Sequence, residues 1–334
     1  MADLRAGLVG FGQMGRHHAR VLNSLPGVEL VGIADPEPRT DRATAHLTFF
    51  SSVGELVACG LDIAVVCVPT TLHEEVAVEL AEAGVHALIE KPVAPDVEAA
   101  RRIAKAFTSR SLVACVGHIE RYNPALQEMR RRLSNGEIGA LYQIATRRQG
   151  PFPERIADVG VVLDLATHDL DLTAWVAKRS YATLSARTAH RSGLQHEDLV
   201  AAVGTLSDGT VVNHLVNWLS PLKERVTVVT GERGTLVADT INADLTFFSN
   251  GLAPVSWDTM ASFRGVVQGD MIRYAIPKRE PLLVELEAFR DAVLGKDRRI
   301  VTIEDATHTV EVAEAMLRAA DNGETQTLPT QPHG

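Results

Sequence analysis

The sequence predicts an α/β protein with an amino-terminal doubly wound parallel sheet and a carboxy-terminal α+β domain. Strand and helix patterns alternate over the first third of the chain, and alternating apolar and polar residues with hairpin turns follow. The length of 334 residues suits two domains, since one domain commonly takes about 100–200 residues. The change of pattern predicts a first domain over residues 1–120 and a second over residues 121–334.

Short apolar runs in the first third are predicted strands, and the stretches between them are predicted helices. We expect strands at residues 6–10, 28–34, 63–68, 86–89 and 112–116, with helices that end near residue 25 or span 72–83 and 95–107. Strands that alternate with helices form βαβ units, and right-handed crossovers then cover both faces of a parallel sheet.

The pattern differs in the rest of the chain. A helix is expected at residues 164–177, and two hairpins pair residues 198–206 with 210–219 and residues 225–230 with 235–239. Short turns that contain glycine join each pair, which is typical of antiparallel hairpins. A strand at 245–249 and helices at 282–294 and 304–320 complete this part.

Composition and charge exclude several classes of protein. The net charge is −9, whereas a general nucleic-acid binder needs an excess of basic residues. Cys59, Cys67 and Cys115 form no CxxC pair, and their odd number suits a reducing compartment. No run approaches the roughly 20 apolar residues of a membrane span. We therefore expect a cytoplasmic protein without nucleic-acid or membrane partners.

A glycine-rich turn follows the first predicted strand. Gly10, Gly12 and Gly15 form GxGxxG, which provides a tight turn, close approach of a pyrophosphate and close helix–strand packing. The helix that starts there offers free N–H groups to phosphates. Phe11, Gln13 and Met14 fill the remaining positions, so the whole turn is predicted to bind a dinucleotide. A plain strand-to-helix turn is the alternative.

An acidic residue lies where a dinucleotide site requires one. Asp35 ends the second predicted strand, 20 residues after Gly15, and its carboxylate would accept hydrogen bonds from a ribose hydroxyl. The same carboxylate would repel a 2′-phosphate, so we predict NAD rather than NADP. Arg39 keeps NADP open as an alternative, because an arginine can accept that phosphate.

A lysine follows the strand predicted at residues 86–89, in the sequence Glu90-Lys91-Pro92. Ligands of open α/β sheets bind at the carboxyl ends of the strands, so Lys91 is placed to stabilise a developing alkoxide. A surface lysine in a turn explains the position equally well.

An acid and a histidine lie four residues apart on the helix predicted at 164–177. Asp164 and His168 would face the same side of that helix. Histidine is the side chain best suited to exchange a hydroxyl proton near neutral pH. A polar surface face is the alternative. Two ligands without a third do not make a zinc site, so no metal is expected.

Taken together, these motifs resemble those of the Gfo/Idh/MocA oxidoreductases. The shared features are the GxGxxG turn, the acid after the second strand, the Glu-Lys-Pro sequence, the D-x-x-x-H helix and residues 301–306, although Ala166 stands where many members carry glycine. The resemblance implies a Rossmann domain and an open, mostly antiparallel sheet that joins copies into homodimers or homotetramers. It also implies NAD(P)-dependent oxidation or reduction of a sugar or cyclitol hydroxyl.

The resemblance assigns Lys91, Asp164 and His168 as catalytic residues. In this interpretation His168 is the general base in oxidation and the general acid in reduction. Lys91 holds the same oxygen and stabilises its negative charge. Asp164 binds a neighbouring hydroxyl or orients the lysine.

Further residues are expected at the cofactor and the substrate. Val68 ends the strand predicted at 63–68, and Pro69, Thr70 and His73 follow it. These four residues and Glu90 are expected beside the cofactor, although simple strand termination also explains Val68, Pro69 and Thr70.

Residues 118–124 resemble the segment that enters the ligand site in sugar-nucleotide 3-dehydrogenases. Arg121, Tyr122 and Asn123 are therefore expected to bind substrate or the nicotinamide, with a plain interdomain linker as the alternative. Arg147 and Arg148 face opposite ways on a strand, so only one would meet a phosphate, and we assign Arg148.

The predicted function is NAD-dependent oxidation of a secondary ring hydroxyl of a sugar to a ketone, with C3 of a nucleotide-linked hexose as the favoured position. Such a 3-keto sugar would serve amino-sugar or antibiotic biosynthesis. An inositol-type or aminoglycoside-intermediate dehydrogenase is the alternative enzyme. A dinucleotide-sensing regulator without turnover is the alternative from another class.

Overall fold

A computed structural model describes residues 3–37, 47–152, 159–193, 195–251 and 267–329. The chain forms two compact units: Met1–Tyr122 with Arg279–Glu311, and Asn123–Lys278 with Val312–Gly334. The sequence prediction placed everything after residue 120 in one domain. The structure instead returns Arg279–Glu311 to the first unit.

The first unit contains a six-stranded sheet in the order β3-β2-β1-β4-β5-β6, and every neighbouring pair is parallel. Its strands are β1 (Leu4–Val9), β2 (Val28–Ala34), β3 (Phe49–Phe50), β4 (Ile63–Val66), β5 (His86–Glu90) and β6 (Ala114–Gly117). The order reverses between β1 and β4, as in the Rossmann fold, and ligands of such sheets bind at the carboxyl ends of the strands near that reversal. This confirms the predicted doubly wound sheet.

The helices of this unit are α1 (Gln13–Leu22), α2 (Val53–Val57), α3 (His73–Glu82), α4 (Val97–Thr108), α7 (Pro281–Val293) and the first part of α8 (Ile303–Asn322). Helix α4 shows how local sequence forms them. The Asp96 side chain accepts the Ala99 N–H at 2.8 Å as a cap. Ile103 and Phe107, four residues apart, are both buried on the inner face.

Helix α7 returns to the first unit because its apolar face completes a core there. Leu282, Leu286 and Phe289 are buried in one cluster with Leu8 and Phe11 of the amino-terminal segment. Periodicity predicts the helix but not its partner, so this long-range packing was not predictable from the local pattern.

The second unit contains a nine-stranded sheet in the order β14-β13-β12-β11-β7-β10-β9-β8-β15. Only β7 and β10 pair in parallel among its described strands. The strands are β7 (Leu141–Pro151), β8 (Tyr181–Ala189), β9 (Leu199–Leu206), β10 (Val211–Asn217), β11 (Leu219–Gly231), β12 (Gly234–Asp239), β13 (Asp244–Gly251), β14 (Val267–Arg273) and β15 (Gln326–Thr327). The predicted α+β domain with a mostly antiparallel sheet is confirmed.

The helices of the second unit are α5 (Pro124–Ser134), α6 (Thr167–Ala177) and the rest of α8. Side chains of these helices form one buried core with alternate residues of the sheet, such as Val212 and Val216 of β10. The other residues of the same strand point away from that core, as the period of two requires. In the part of the chain that the structure describes, no helix has the length and apolar character needed to cross a bilayer.

Candidate active site

The glycine-rich turn lies between β1 and α1, and its three glycines meet different surroundings. Gly10 has a φ of +91°, and a Cβ atom there would lie 2.6 Å from the carbonyl oxygen of Cys67. A Cβ atom at Gly15 would overlap the carbonyl oxygen of Gly10. By contrast, a Cβ atom at Gly12 would meet nothing within 4 Å. Of the three glycines, Gly12 alone has open space beside its backbone, where a pyrophosphate would approach.

The amino terminus of α1 fits a phosphate group as well. Gly12 caps the helix without a side-chain hydrogen bond, and no acidic residue lies in the first turn. The exposed Gln13 and the half-buried Met14 begin the helix. The free N–H groups and the positive end of the helix dipole therefore favour an anion. The Phe11 side chain turns inward and packs edge-on against Phe49, with ring centroids 5.2 Å apart.

Asp35 follows the carboxyl end of β2 and is held against the glycine-rich turn. Its Oδ2 atom accepts the N–H of Phe11 at 2.6 Å, and its Oδ1 atom accepts the N–H of Glu37 at 2.9 Å. Each carboxylate oxygen has a further lone pair for a ribose hydroxyl. The arrangement fits NAD. Arg39, the alternative contact for a 2′-phosphate, lies outside the described residues.

Lys91 follows β5 directly, is half-buried and precedes Pro92 through a cis peptide bond. Its neighbour Glu90 is buried, with Oε1 2.8 Å from Nε2 of His18 and Oε2 accepting the N–H of Lys91 at 3.1 Å. Burial alone would raise the pKa of Glu90, but His18 and Lys91 outweigh it and hold that pKa below its usual value. His18 was missed at the sequence level, because nothing local links it to Glu90.

The segment after β4 leads past the same edge of the sheet. Val68 and Pro69 follow the strand, and the buried Thr70 begins a 3₁₀ turn, Thr70–Leu72, that leads into α3. These positions at the carboxyl end of β4 are compatible with the expected cofactor contacts.

His73, predicted to touch the dinucleotide, has a different environment. Its Nδ1 atom lies 2.9 Å from the Pro92 carbonyl oxygen, and its Nε2 atom lies 3.0 Å from that of Val68. Burial lowers the pKa of the imidazole, despite these hydrogen bonds. Since both ring nitrogens face backbone carbonyls, His73 joins the end of β4 to the turn that carries Lys91. Contact of His73 with the dinucleotide stays a prediction.

In the second unit, Asp164 and His168 lie on a helix with two geometries. Val162–Ala166 form a π-helical turn, and α6 begins at Thr167. The sequence predicted one regular helix from residue 164. Asp164 is buried within the π turn, and His168 is half-buried in the first turn of α6. Such π turns are rare and occur frequently at functional sites.

Arg148, predicted to meet a phosphate, is paired inside the second unit. Its Nε atom donates to Oδ1 of Asp169 at 2.8 Å, and the two side chains are only 3% and 2% exposed. Arg147 faces the other way and pairs with Glu224 at 3.2 Å. A buried ion pair therefore holds the Arg148 guanidinium, since an unpaired buried charge would be costly, and its contact with a phosphate stays a prediction. This pair joins β7 to the helix that carries His168.

Residues 121–123, predicted to bind substrate, also have internal partners. Asn123 caps α5 by accepting the Ala125 N–H at 3.0 Å and donates to the Thr240 carbonyl at 2.9 Å. Arg121 pairs with Asp305 at 2.9 Å, and Tyr122 is buried. The Asn-Pro sequence was itself a readable signal, because asparagine is favoured at the cap and proline at the first helical position. These contacts show how the three side chains are held, and their binding of substrate stays a prediction.

The residues that the structure describes contain no group of three or more His, Cys, Asp or Glu side chains placed to hold a metal ion. The strand order, the glycine-rich turn and Asp35 are together those of a dinucleotide-binding Rossmann fold. Comparison with known families agrees: residues 4–118 match the oxidoreductase family with an NAD-binding Rossmann fold, and residues 126–237 match the GFO/IDH/MocA C-terminal domain. The chain belongs to the Gfo/Idh/MocA family of NAD-binding oxidoreductases, which confirms the resemblance.

Similar proteins extend over nearly the whole chain. UDP-N-acetylglucosamine 3-dehydrogenase from Acidithiobacillus ferrooxidans is 30% identical over 296 residues, covering 88% of this chain and 90% of that protein. Its solved structure superposes with a TM-score of 0.83 at 26% identity, covering 96% and 99% of the two chains. Myo-inositol dehydrogenase Hyg17 from Streptomyces leeuwenhoekii is 29% identical over 336 residues, covering 96% of this chain and 99% of that protein.

Proposed function

We propose that this protein oxidises a secondary ring hydroxyl of a sugar to a ketone, reversibly and with NAD, at C3 of a nucleotide-linked hexose. The observation that carries the proposal is the pair Asp164 and His168, the first within a π-helical turn and the second in the α-helical turn that follows it. Together with Lys91 after a Rossmann strand, these residues supply proton transfer and charge stabilisation. Similarity to a UDP-N-acetylglucosamine 3-dehydrogenase supports the substrate class.

In the proposed reaction each side chain has one task. His168 takes the proton of the reacting hydroxyl, because imidazole exchanges protons near neutral pH. The Lys91 ammonium stabilises the negative charge that develops on the same oxygen. Asp164 binds a neighbouring hydroxyl or orients the lysine. Bound NAD supplies the acceptor for the hydride that leaves the carbon.

Asp35 supports a preference for NAD over NADP. Its carboxylate is held beside the glycine-rich turn by the Phe11 N–H. A 2′-phosphate at the ribose would face this negative charge. We expect a higher kcat/KM with NAD than with NADP, measured with one substrate, and a clear NADP advantage would contradict the assignment.

A panel of nucleotide sugars, free sugars, cyclitols and aminoglycosides, monitored by NADH absorbance, tests the function. We expect turnover with a nucleotide sugar and a fall of ~10²–10⁴-fold in kcat for Lys91→Ala and His168→Ala. The exposed Lys105→Ala and His190→Ala are matched controls. Normal turnover in both active-site variants would contradict the mechanism.

A second candidate is an inositol-type dehydrogenase, favoured by the similarity to myo-inositol dehydrogenase Hyg17. In that case the same panel would show turnover with cyclitols and none with nucleotide sugars. A dinucleotide-sensing regulator is the remaining alternative. It would bind NAD without turning over any substrate in the panel, although a sensor has no need of a proton-transfer group.

We also propose that a second copy of the chain covers one face of the nine-stranded sheet. Val203 of β9 and Val211 of β10 are 51% and 42% exposed, and the strand register places them on the face opposite the buried Val212. Exposed apolar residues on a sheet face are typical of association sites. Light scattering should show a dimer or tetramer that Val203→Glu with Val211→Glu dissociates, whereas a monomeric wild type would contradict this proposal.

A further inference from the structure

Glu197 lies just before β9 and reaches the start of the π-helical turn. Its Oε1 atom accepts the N–H of Val162 at 3.0 Å, and its backbone carbonyl accepts the N–H of Val161 at 2.9 Å. The side chain is buried. One residue, 35 positions away in the chain, thus satisfies two consecutive N–H groups where the helix begins.

Gly160 has no side chain, and the Glu197 carboxylate occupies the space where a Cβ atom would lie. A Cβ atom at residue 160 would overlap both the carboxyl carbon and the oxygens of Glu197. The Gly160 carbonyl in turn accepts the N–H of Asp164 at 3.0 Å. Glycine is therefore required here for close approach, and the same residue holds the backbone of Asp164.

The first N–H groups of a helix have no partners within the helix. A Ser, Thr, Asp or Asn side chain at the cap commonly binds them. Here the cap is Val161, which offers no side-chain hydrogen bond. A carboxylate at this end also interacts favourably with the helix dipole. Glu197, which is distant in the chain, therefore caps the helix in place of a local side chain.

The segment that carries Glu197 is itself firmly held. Asp198 is fully buried, and its Oδ2 atom accepts the N–H groups of Arg191 and Ser192 at 2.6 Å each. Burial would raise the pKa of Asp198, but these hydrogen bonds outweigh it and lower that pKa. The Asp198 carbonyl also accepts the N–H of Trp218 at 3.0 Å. Asp198, the residue after Glu197, is thus held through both its side chain and its backbone carbonyl.

From these contacts we infer that Glu197 and Gly160 are positioning residues for catalysis. They fix the backbone conformation at the start of the π turn, and in this way they orient the Asp164 carboxylate and the His168 imidazole. This inference rests on the proposed function of those two side chains. It predicts that Glu197 affects turnover without touching substrate or cofactor.

The test compares Glu197→Ala with Glu197→Gln and measures kcat, KM, NADH affinity and thermal unfolding of each folded variant. Misplacement of catalytic groups by about 1 Å lowers kcat by about 100-fold, and we expect such a fall for Glu197→Ala with unchanged NADH affinity. The amide oxygen of Glu197→Gln still accepts the Val162 N–H, so only the charge–dipole interaction is lost. We expect its kcat to stay within about fivefold of wild type.

Gly160→Ala, alone and combined with Glu197→Ala, provides a second test of the same contact. Alone it should lower kcat as Glu197→Ala does, because the methyl group displaces the carboxylate. Combined with Glu197→Ala it should add little, since the overlap is gone, and this non-additivity marks a direct interaction. Full turnover in folded Glu197→Ala, or additive effects of the two substitutions, would overturn the inference.

Hydrogen exchange separates this inference from the proposed function. The Val162 amide should exchange faster in Glu197→Ala and stay protected in Glu197→Gln. If wild type turns over no sugar but the exchange behaves this way, the proposed reaction is wrong and the capping contact stands. If wild type turns over substrate and Glu197→Ala matches it, the positioning role is wrong.

Discussion

Gly10, Gly12 and Gly15 share one turn, yet the surrounding atoms give them different tasks. Gly10 and Gly15 have neighbours that a Cβ atom would strike, so they serve the fold. Gly12 has open space around it and an extended backbone with φ −69° and ψ −162°, which any residue can adopt. The spacing predicted one shared role for the three glycines, but only the structure separates the two with close backbone neighbours from the one with open space around it.

This difference predicts opposite effects for two equally small substitutions. Gly12→Ala should leave the thermal midpoint of unfolding unchanged and weaken NADH binding by ~tenfold or more, about 1.4 kcal/mol, because the methyl group occupies the approach of the pyrophosphate. Gly15→Ala should lower the midpoint, because its methyl group overlaps the Gly10 carbonyl. Thermal scanning and fluorescence titration with NADH measure the two effects. Equal behaviour of the two variants would contradict the division of roles.

At the scale of elements, local patterns predicted most helices and strands but not their partners. The helix predicted at residues 282–294 exists as α7, yet it packs with Leu8 and Phe11 from the other end of the chain. Sequence periodicity shows that a face is apolar without showing what covers it. The π turn was missed as well, because the helix predicted from the sequence began at residue 164, inside that turn.

The packing of α7 predicts the effect of truncating its largest buried side chain. Phe289→Ala should destabilise the first unit by about 3–5 kcal/mol, because it removes buried apolar surface and leaves a cavity. Phe289→Leu is the control and should cost clearly less, because leucine fills more of the space. Urea unfolding followed by circular dichroism measures both. If Phe289→Ala lowered the free energy of unfolding no more than a substitution at an exposed residue does, the buried position of α7 would be contradicted.

At the scale of the whole molecule, buried ionisable groups make stability depend on pH. His214 is buried in the second unit, with Nδ1 2.7 Å from Oγ1 of Thr146 and Nε2 3.0 Å from the hydroxyl of Tyr181. Burial lowers the pKa of His214 from 6.5 to about 4. The unfolded chain therefore binds a proton at mildly acidic pH that the folded chain does not. The folded state therefore keeps its full stability above pH 6.5, and its free energy of unfolding decreases as the pH falls from 6.5 towards 4.

The lowered pKa of His214 predicts a loss of folding stability between pH 7 and pH 5. The free energy of unfolding of wild type should fall by about 2 kcal/mol more than that of His214→Gln over this interval. Glutamine is the control because it keeps hydrogen-bonding groups without titrating. Urea unfolding at both pH values gives the difference. Parallel pH dependence in the two proteins would show that His214 does not titrate on unfolding.

The sequence by itself determined the Rossmann sheet, the glycine turn with Asp35, the family and the use of NAD. Each of these signals is local, because it depends on strand and helix periodicity or on the spacing of a few neighbouring residues. The tertiary structure alone decided the contacts between distant positions. It joined His18 to Glu90, Arg148 to Asp169 and Glu197 to Val162. Such pairs form only when packing brings distant polar groups together, and burial favours them because a buried polar group without a hydrogen bond is costly.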